Sequence, residues 1–274
     1  MLDILLDALI DSLKLIPFLF ISFVIMELIE HKLTNKSKLS KINKFGPLAG
    51  ATLGIIPQCG FSALASNLYA ARVITLGTLF SIYLSTSDEM LPILISHQTN
   101  ITSIILIHLT KFSLGFIFGL LVDTIYHQKK STEDLSHLCE EEHCHCEDNN
   151  IVKSSLIHTL KITFFIFIVN LLLNSIIDKS FITSITLNNK ILSPIITSIL
   201  GLIPNCASSV IITELYLDNV ISFGSCISGL LSGSGVGLLV LFKQNHHLKE
   251  NILILLTLII FSSISGIIFN LVLS

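Results

Sequence analysis

Tryptophan is absent from this chain and charge is scarce: charged residues make up 13% of it, where a soluble domain carries about 25%. So little charge cannot clothe a water-facing globular surface, and apolar surface must face lipid or other helices. A net charge of −3 with no basic stripe excludes a nucleic-acid binder. No ten-residue alternating pattern is present, which excludes a membrane β-barrel. No Walker sequence or aspartyl-phosphate signature is found, so this chain is not expected to drive a pump with ATP. The N-terminal stretch has Asp3, Asp7 and Asp11 where a signal peptide needs a basic region. The six cysteines are not spaced as a secreted disulfide framework, and without indoles no tryptophan belt marks an interface.

What is present is apolar length. Hydrophobic residues make up 51% of the 274, and runs at 15–29, 101–122, 162–177 and 252–273 approach or exceed the roughly 18–20 residues that cross a bilayer core. Inside lipid every backbone group must be satisfied within the segment, so these runs are expected to be helices. The lipid bilayer is therefore the first partner implied, and a multi-pass inner (cytoplasmic) membrane protein the expected class.

A repeat organises the chain. Pro57-Gln58-Cys59 recurs as Pro204-Asn205-Cys206, an offset of 147 residues since 57 + 147 = 204. Without a gap, the same offset pairs Lys14 with Lys161, Pro47 with Pro194, Gly54 with Gly201 and Ser62 with Ser209. It also pairs Leu68-Tyr69 with Leu215-Tyr216, Gly77 with Gly224, and Ser81, Leu84, Ser85 and Ser87 with Ser228, Leu231, Ser232 and Ser234. Matches among Leu and Ile carry little information here; matches among Pro, Cys, Gly and Tyr carry much. Three units follow: a transmembrane repeat at 1–124, a polar linker at 125–152 and a second repeat at 153–274.

Lysine placement sets the expected orientation. Lys32, Lys36, Lys38, Lys41 and Lys44 follow the first long run, whereas the equivalent stretch 178–190 has only Lys179 and Lys190. At the next matched pair of loops, 96–102 has no lysine and 243–250 has Lys243 and Lys249. The halves are thus expected to be inverted, with both termini outside and the linker in the cytoplasm. Inverted halves are a mark of secondary transporters, whose substrates bind near the midplane. The expected fold is all-α and polytopic: two inverted-topology repeats of about five helices each, their Pro-broken or re-entrant helices meeting near the midplane. Helices are expected near 4–30, 45–57, 60–71, 73–95 and 100–124, and near 153–177, 191–204, 207–217, 219–242 and 250–273.

Two breaks per half carry the chemistry. Pro57 forbids continued helical bonding and Gly60 frees the backbone. Interrupted backbone at membrane depth survives where it is buried in protein or lines a cavity. This places Gln58, Cys59 and Ser62, with Asn205, Cys206 and Ser209, beside the pathway; the alternative is a plain packing kink. The second break, around Ser87, Asp88 and Glu89, matches a glycine-rich one around Ser234. Carboxylates inside a membrane are costly and mark ion or proton routes, although a solvated external loop is the alternative for this pair. Glu27 lies deeper in its helix than Glu30 and is a further pathway candidate. Lys111, mid-helix with His108 three residues before it, must snorkel or pair, with Asp88 or Glu89 as its expected partner.

The linker crowds His137, Cys139, His143, Cys144, His145 and Cys146 among Glu140, Glu141, Glu142, Glu147 and Asp148. Thiolate and imidazole are ligands for zinc, copper and other borderline or soft ions. Their spacing is no zinc-finger pattern, which points to a flexible metal collector or, at its plainest, an acidic linker.

With these residues in view, the chain resembles the ten-helix heavy-metal exporters. The resemblance lies in the paired Ile-Ile-Pro-Gln-Cys-Gly-Phe-Ser and Leu-Ile-Pro-Asn-Cys-Ala-Ser-Ser motifs, the Ser-Thr-Ser-Asp-Glu break and the His/Cys-rich centre. Members of that family are described as arsenic efflux proteins or manganese transporters. The resemblance implies ten helices and export of a metal or metalloid ion, without choosing the ion: cysteines suit arsenite, cadmium, zinc or copper, and manganese prefers oxygen ligands such as Asp88, Glu89 and Glu27. The expectation is a secondary, proton-coupled exporter with the metal ion as substrate, no required cofactor, and a homo-oligomer as a further possibility. No histidine lies near either break to activate Cys59, so an enzyme is not expected. An anion permease and a membrane metal sensor without flux are the alternatives.

Overall fold

The computed structural model describes residues 45–55, 60–86, 90–126, 189–204 and 206–273 (the backbone only at 206 and 207). Scattered helical positions between 13 and 24 and between 155 and 168 are also described. Every regular element among these residues is an α-helix. The first half contributes α1 (Gly46–Gly54), α2 (Gly60–Ala70), α3 (Leu76–Ser85), α4 (Met90–Ser96) and α5 (Ile101–Ile125). The second contributes α6 (Leu192–Gly201), α7 (Cys206–Leu217), α8 (Phe223–Ser232), α9 (Gly237–Gln244) and α10 (Leu248–Val272). The 147-residue offset recurs in the boundaries: 76 + 147 = 223, 85 + 147 = 232, 101 + 147 = 248 and 125 + 147 = 272.

The local signals that start and stop these helices are duplicated as well. Thr75 caps α3 by accepting from the backbone N–H of Thr78, and Ser222 caps α8 by accepting from that of Ser225. After α2 the chain turns through Arg72 at φ 57, and after α7 through Asn219 at φ 57. In both places a Schellman pair closes the helix: Val73 N–H donates to Leu68 O and Arg72 N–H to Tyr69 O, as Val220 N–H does to Leu215 O and Asn219 N–H to Tyr216 O. A left-handed residue lets the chain reverse at once into the next helix.

The expected apolar segment at 73–95 is two helices, α3 and α4, parted at 86–89. Its counterpart is α8 and α9, parted at 233–236, where Gly235 takes φ 54. Among the described residues three stretches are long and apolar enough to cross a membrane: Ile101–Ile125, Phe223–Gln244 and Leu248–Val272. Their burial sorts them. The apolar window of Phe223–Gln244 is 83% buried, against 22% and 33% in the other two, so α8–α9 is central while α5 and α10 lie outside. Those outer helices turn Ile105, Leu109, Ile117, Ile252, Ile260 and Ile268 outward, an apolar surface suited to lipid.

Stripes of small residues hold the layers together. On α3, Gly77, Ser81 and Ser85 recur every fourth residue and so share a face, as do Gly115 and Gly119 on α5. A Cβ added at Gly77 would come within 2.1 Å of Gly119 O, and one at Gly119 within 1.8 Å of Ser81 Oγ. The second half repeats the contact: a Cβ at Gly224 would lie 2.3 Å from Gly266 O. In lipid, apolar burial does not drive one helix onto another, so close backbone approach and interhelical hydrogen bonds must do so. Asp123 adds such bonds, accepting from Gly77 N–H and Thr75 Oγ1 at the positive end of α3, and Asn270 accepts from Ser222 Oγ in the equivalent place.

Helix α1 lies along α3 and runs the same way, since Gly46 faces Thr78, Gly50 faces Ser81 and Ile82, and Gly54 faces Ser85. Helix α2 begins near the far end of α3 and returns to its start through the 71–75 turn. Thus α1 and α2 are the two arms of a hairpin, and the end of α1 at Gly54 lies beside the end of α3 at Ser85. Helices α6 and α7 repeat the arrangement against α8, with Gly201 facing Gly229 and Ser232.

The halves meet along α2 and α9, through a parallel stack of Phe118 on Phe261 with centroids 4.5 Å apart, and at one polar clasp. In that clasp Arg72, the only arginine of the chain, pairs with Glu250 through two bonds of 2.9 and 2.8 Å. Tyr69 Oη also donates to Glu250, and the guanidinium lies over the Tyr69 ring.

Three substitutions test these contacts by thermal melting of the detergent-purified chain. Gly77→Ala should destabilise by about 1–3 kcal/mol, because backbone on α5 blocks the methyl, whereas Gly233→Ala, whose nearest neighbour would be 3.4 Å away, should change stability by less than about 1 kcal/mol. Arg72→Ala leaves the half-buried Glu250 carboxylate with only the neutral donors Tyr69 and Asn245 and should cost about 2–4 kcal/mol; an unchanged melting temperature would show that the clasp contributes nothing.

Candidate functional site

A broken helix frees backbone groups, and in a buried place each of them needs a partner. At the end of α8, Ser234 N–H turns back to Ser232 O, so it does not reach the Leu230 carbonyl it would bond in a continuous helix. At the end of α3, Thr86 takes extended backbone (φ −56, ψ 130), which swings its carbonyl off the helix axis. Both carbonyls are taken by one group. The Lys111 ammonium, near the middle of α5, donates to Leu230 O at 2.8 Å and to Thr86 O.

Lys111 is 1% exposed, so it does not snorkel to a surface. It extends the small-residue stripe of α5, one turn before Gly115, and this delivers its long side chain to the two breaks. The counterpart at 111 + 147 = 258 is Leu258, fully buried. The cation therefore belongs to one half only, and it bridges both. Three residues earlier, His108 Nδ1 lies 2.9 Å from Ile104 O. A carbonyl only accepts, so Nδ1 carries the proton, and the buried Nε2 is left with a lone pair and no hydrogen-bond partner.

The ends of α1 and α6 lie at the same level. Gly54, which leads into Pro57-Gln58-Cys59, lies against Ser85, and Gly201, which leads into Pro204-Asn205-Cys206, lies against Ser232. Beyond the first tip, Ser62 is buried where α9 begins: a Cβ on Gly237 would lie 2.8 Å from the Ser62 Cβ. One turn further on, Ser66 Oγ sits 2.7 Å from Ser62 O, 2.6 Å from Tyr83 Oη and 2.7 Å from Gly237 O, a junction of α2, α3 and α9. Thr213 stands in the equivalent place (66 + 147 = 213), with Thr213 Oγ1 donating to Ser209 O at 2.7 Å. Ser209 is buried too. Ser234 lies in the second break of the second half, 1% exposed, with no hydrogen-bond partner for its hydroxyl.

Of the pathway residues expected from sequence, Ser62, Ser209 and Ser234 are thus placed at the breaks, and Cys206 opens α7 in its backbone. Glu27, Gln58, Cys59, Ser87, Asp88, Glu89, Asn205 and the Cys206 side chain lie outside the described residues. So do the linker residues His137, Cys139, His143, Cys144, His145 and Cys146. Among the described residues no group of three or more His, Cys, Asp or Glu is placed to hold a metal. The residues on either side of 87–89 are buried, Thr86 at 1% and Met90 at 0% exposure. Lys111 has backbone carbonyls as partners that were not foreseen, and Asp123, Tyr83 and the Arg72–Glu250 clasp were not anticipated at all. A signal existed for Asp123: its offset partner is Asn270, a second polar residue near the end of an apolar helix.

Electrostatically the site is mixed. The C-terminal ends of α3 and α8 present carbonyls, which suit a cation, and the N-terminal ends of α2, α4, α7 and α9 open from the same breaks. Among the described residues, an apolar frame surrounds backbone carbonyls, serine hydroxyls and the Lys111 ammonium.

Among curated proteins and among solved structures nothing matches the chain. A family profile matches it over residues 1–181 and 161–273, which together take in nearly all of its length. The chain belongs to that family, whose description is "Putative, 10TM heavy-metal exporter".

Proposed function

We propose that this protein is a secondary transporter that exports heavy-metal or metalloid ions across the cytoplasmic membrane, coupled to protons. The observation that carries the reading is the convergence of both halves' helix breaks on one buried level, half-way along α5. Backbone interrupted there is tolerable only if it serves a cavity or a bound ion.

In this reading the two halves are inverted and α1–α2 and α6–α7 are re-entrant hairpins entering from opposite sides. Lysine placement supports it, and so does the direction of neighbouring helices. Helix α2 meets the start of α9 at Ser62 and Ser66, and its other end meets Glu250, just beyond the end of α9. It therefore runs with α9 and against α3. The linker would lie in the cytoplasm with both termini outside. There the thiols and imidazoles at 137–146 would collect metal and pass it to the hairpin tips, where Cys59, Cys206, Gln58 and Asn205 would bind it. Asp88 or Glu89 would bind the cation or exchange a proton, and Glu27 would line the entry. Arsenic suits the cysteines; manganese suits the carboxylates.

Transport by the full chain in proteoliposomes, across a panel of metal ions and arsenite with and without a pH gradient, tests both substrate and coupling. The expected result is flux of at least one ion that steepens with the gradient. Cys59→Ala and Asp88→Asn should each lower that flux by about 10–100-fold, and wild-type flux from both would remove this site. Competition by phosphate-like oxyanions in place of metals would turn the reading to an anion permease, and metal binding without flux to a sensor. Deleting 137–148 should raise the metal concentration needed for half-maximal flux while leaving the maximal rate; a lowered maximal rate would argue against a collecting role.

A further inference from the structure

Two carbonyl-bearing helix ends that meet inside an apolar frame repel one another unless a positive charge lies between them. Each carries about half a negative elementary charge. In this protein the charge between them is the Lys111 ammonium, on Thr86 O from one half and on Leu230 O from the other. These two partners are backbone oxygens, the hard donors that dehydrated metal and alkali cations also take. The Leu230 carbonyl is available only because the 233–236 break redirects Ser234 N–H. A further oxygen stands in that same break: the Ser234 hydroxyl, buried and without a hydrogen-bond partner. Lys111 is also a departure from the repeat, since Leu258 fills the equivalent position. Packing alone does not explain it, because leucine packs that position in the other half.

We propose that the meeting point of the α3 and α8 carbonyl ends is a cation site of the pathway, occupied in this structure by the Lys111 ammonium, and that a hard, oxygen-seeking cation entering the site displaces it. With Lys111 in place, the inner helices of the two halves are clamped together at their breaks. With Lys111 displaced, the clamp is the cation itself, and the ammonium gives up the Thr86 and Leu230 carbonyls. A positive charge that must leave before another can enter gives the site an ordered exchange. That role for the exchange rests on the transport reading above, whereas the site itself does not.

The test is chemical rescue in the detergent-solubilised full chain, read by thermal melting. Lys111→Ala removes three methylenes and the ammonium, the shape of n-propylammonium. The variant should melt about 5–10 °C below wild type. Millimolar n-propylammonium should restore at least half of the loss, while propan-1-ol, which lacks the charge, and tetramethylammonium, which lacks N–H donors, should not. Mn²⁺, as the hard-cation probe, should raise the melting temperature of Lys111→Ala more than that of wild type. Rescue by neither propylammonium nor Mn²⁺ overturns the site. Rescue by propylammonium alone overturns displacement and leaves a structural clamp.

Should Lys111→Ala not survive extraction, Lys111→Arg against Lys111→Met carries the test. Retention by Arg with loss by Met supports the site, and a Met variant as stable as wild type overturns it. Rescue in the absence of flux from wild-type proteoliposomes would sink the export reading and keep the site. Flux without rescue would do the reverse.

Discussion

Backbone groups released by a broken helix must find partners, and inside an apolar frame water does not supply them. Each half of this protein breaks its inner helix once, after α3 and after α8, and turns a short hairpin back at the same level. The structure meets the cost with groups borrowed across the molecule. Lys111 of α5 serves carbonyls of both halves, and Ser66 lies at the junction of α2, α3 and the start of α9. The surrounding helices are arranged so that these few groups arrive where the breaks are. The small-residue stripes allow α5 to come close enough to α3 for a lysine to reach past it.

The two halves share a frame and differ in what they place inside it. Caps, Schellman turns, glycine crossings and the Asp123 and Asn270 contacts recur at the same spacing, because each is a solution to helix geometry and the geometry recurs. At the level of the breaks the correspondence fails. In the repeat Lys111 corresponds to Leu258, Tyr83 to Leu230, and Asp88-Glu89 to Gly235-Val236. Lys111 thus sets a positive charge between carbonyls of the two halves from one half only.

Much was legible in the sequence because it depends on neighbours along the chain. Composition and run length identified apolar helices, since a lipid-facing helix must be apolar along its length. The offset of 147 residues located both breaks in each half and the helix pairs, since proline and glycine act on their own backbone. The boundaries of α5 and α10 fell within two residues of the expected ones at both ends, because each begins at a polar loop and ends where the apolar run ends. The placing of Ser62, Ser209 and Ser234 beside the breaks follows from sequence adjacency as well.

Tertiary structure decided the partners. From the sequence Lys111 appears as an awkward charge in an apolar helix, to be neutralised by a carboxylate or drawn to a surface. Its two carbonyl partners come from residues 25 and 119 positions away, and no local pattern announces a carbonyl that has lost its own helix. The Arg72–Glu250 clasp and the Phe118–Phe261 stack are likewise contacts between halves, set by how the helices cross. By itself, then, the sequence determined the helices, the duplication and the points of interruption, which are properties of a chain and its solvent. Only the tertiary structure decided that those interruptions meet and that one ammonium holds them together, because that depends on which surfaces approach closely enough to exchange hydrogen bonds.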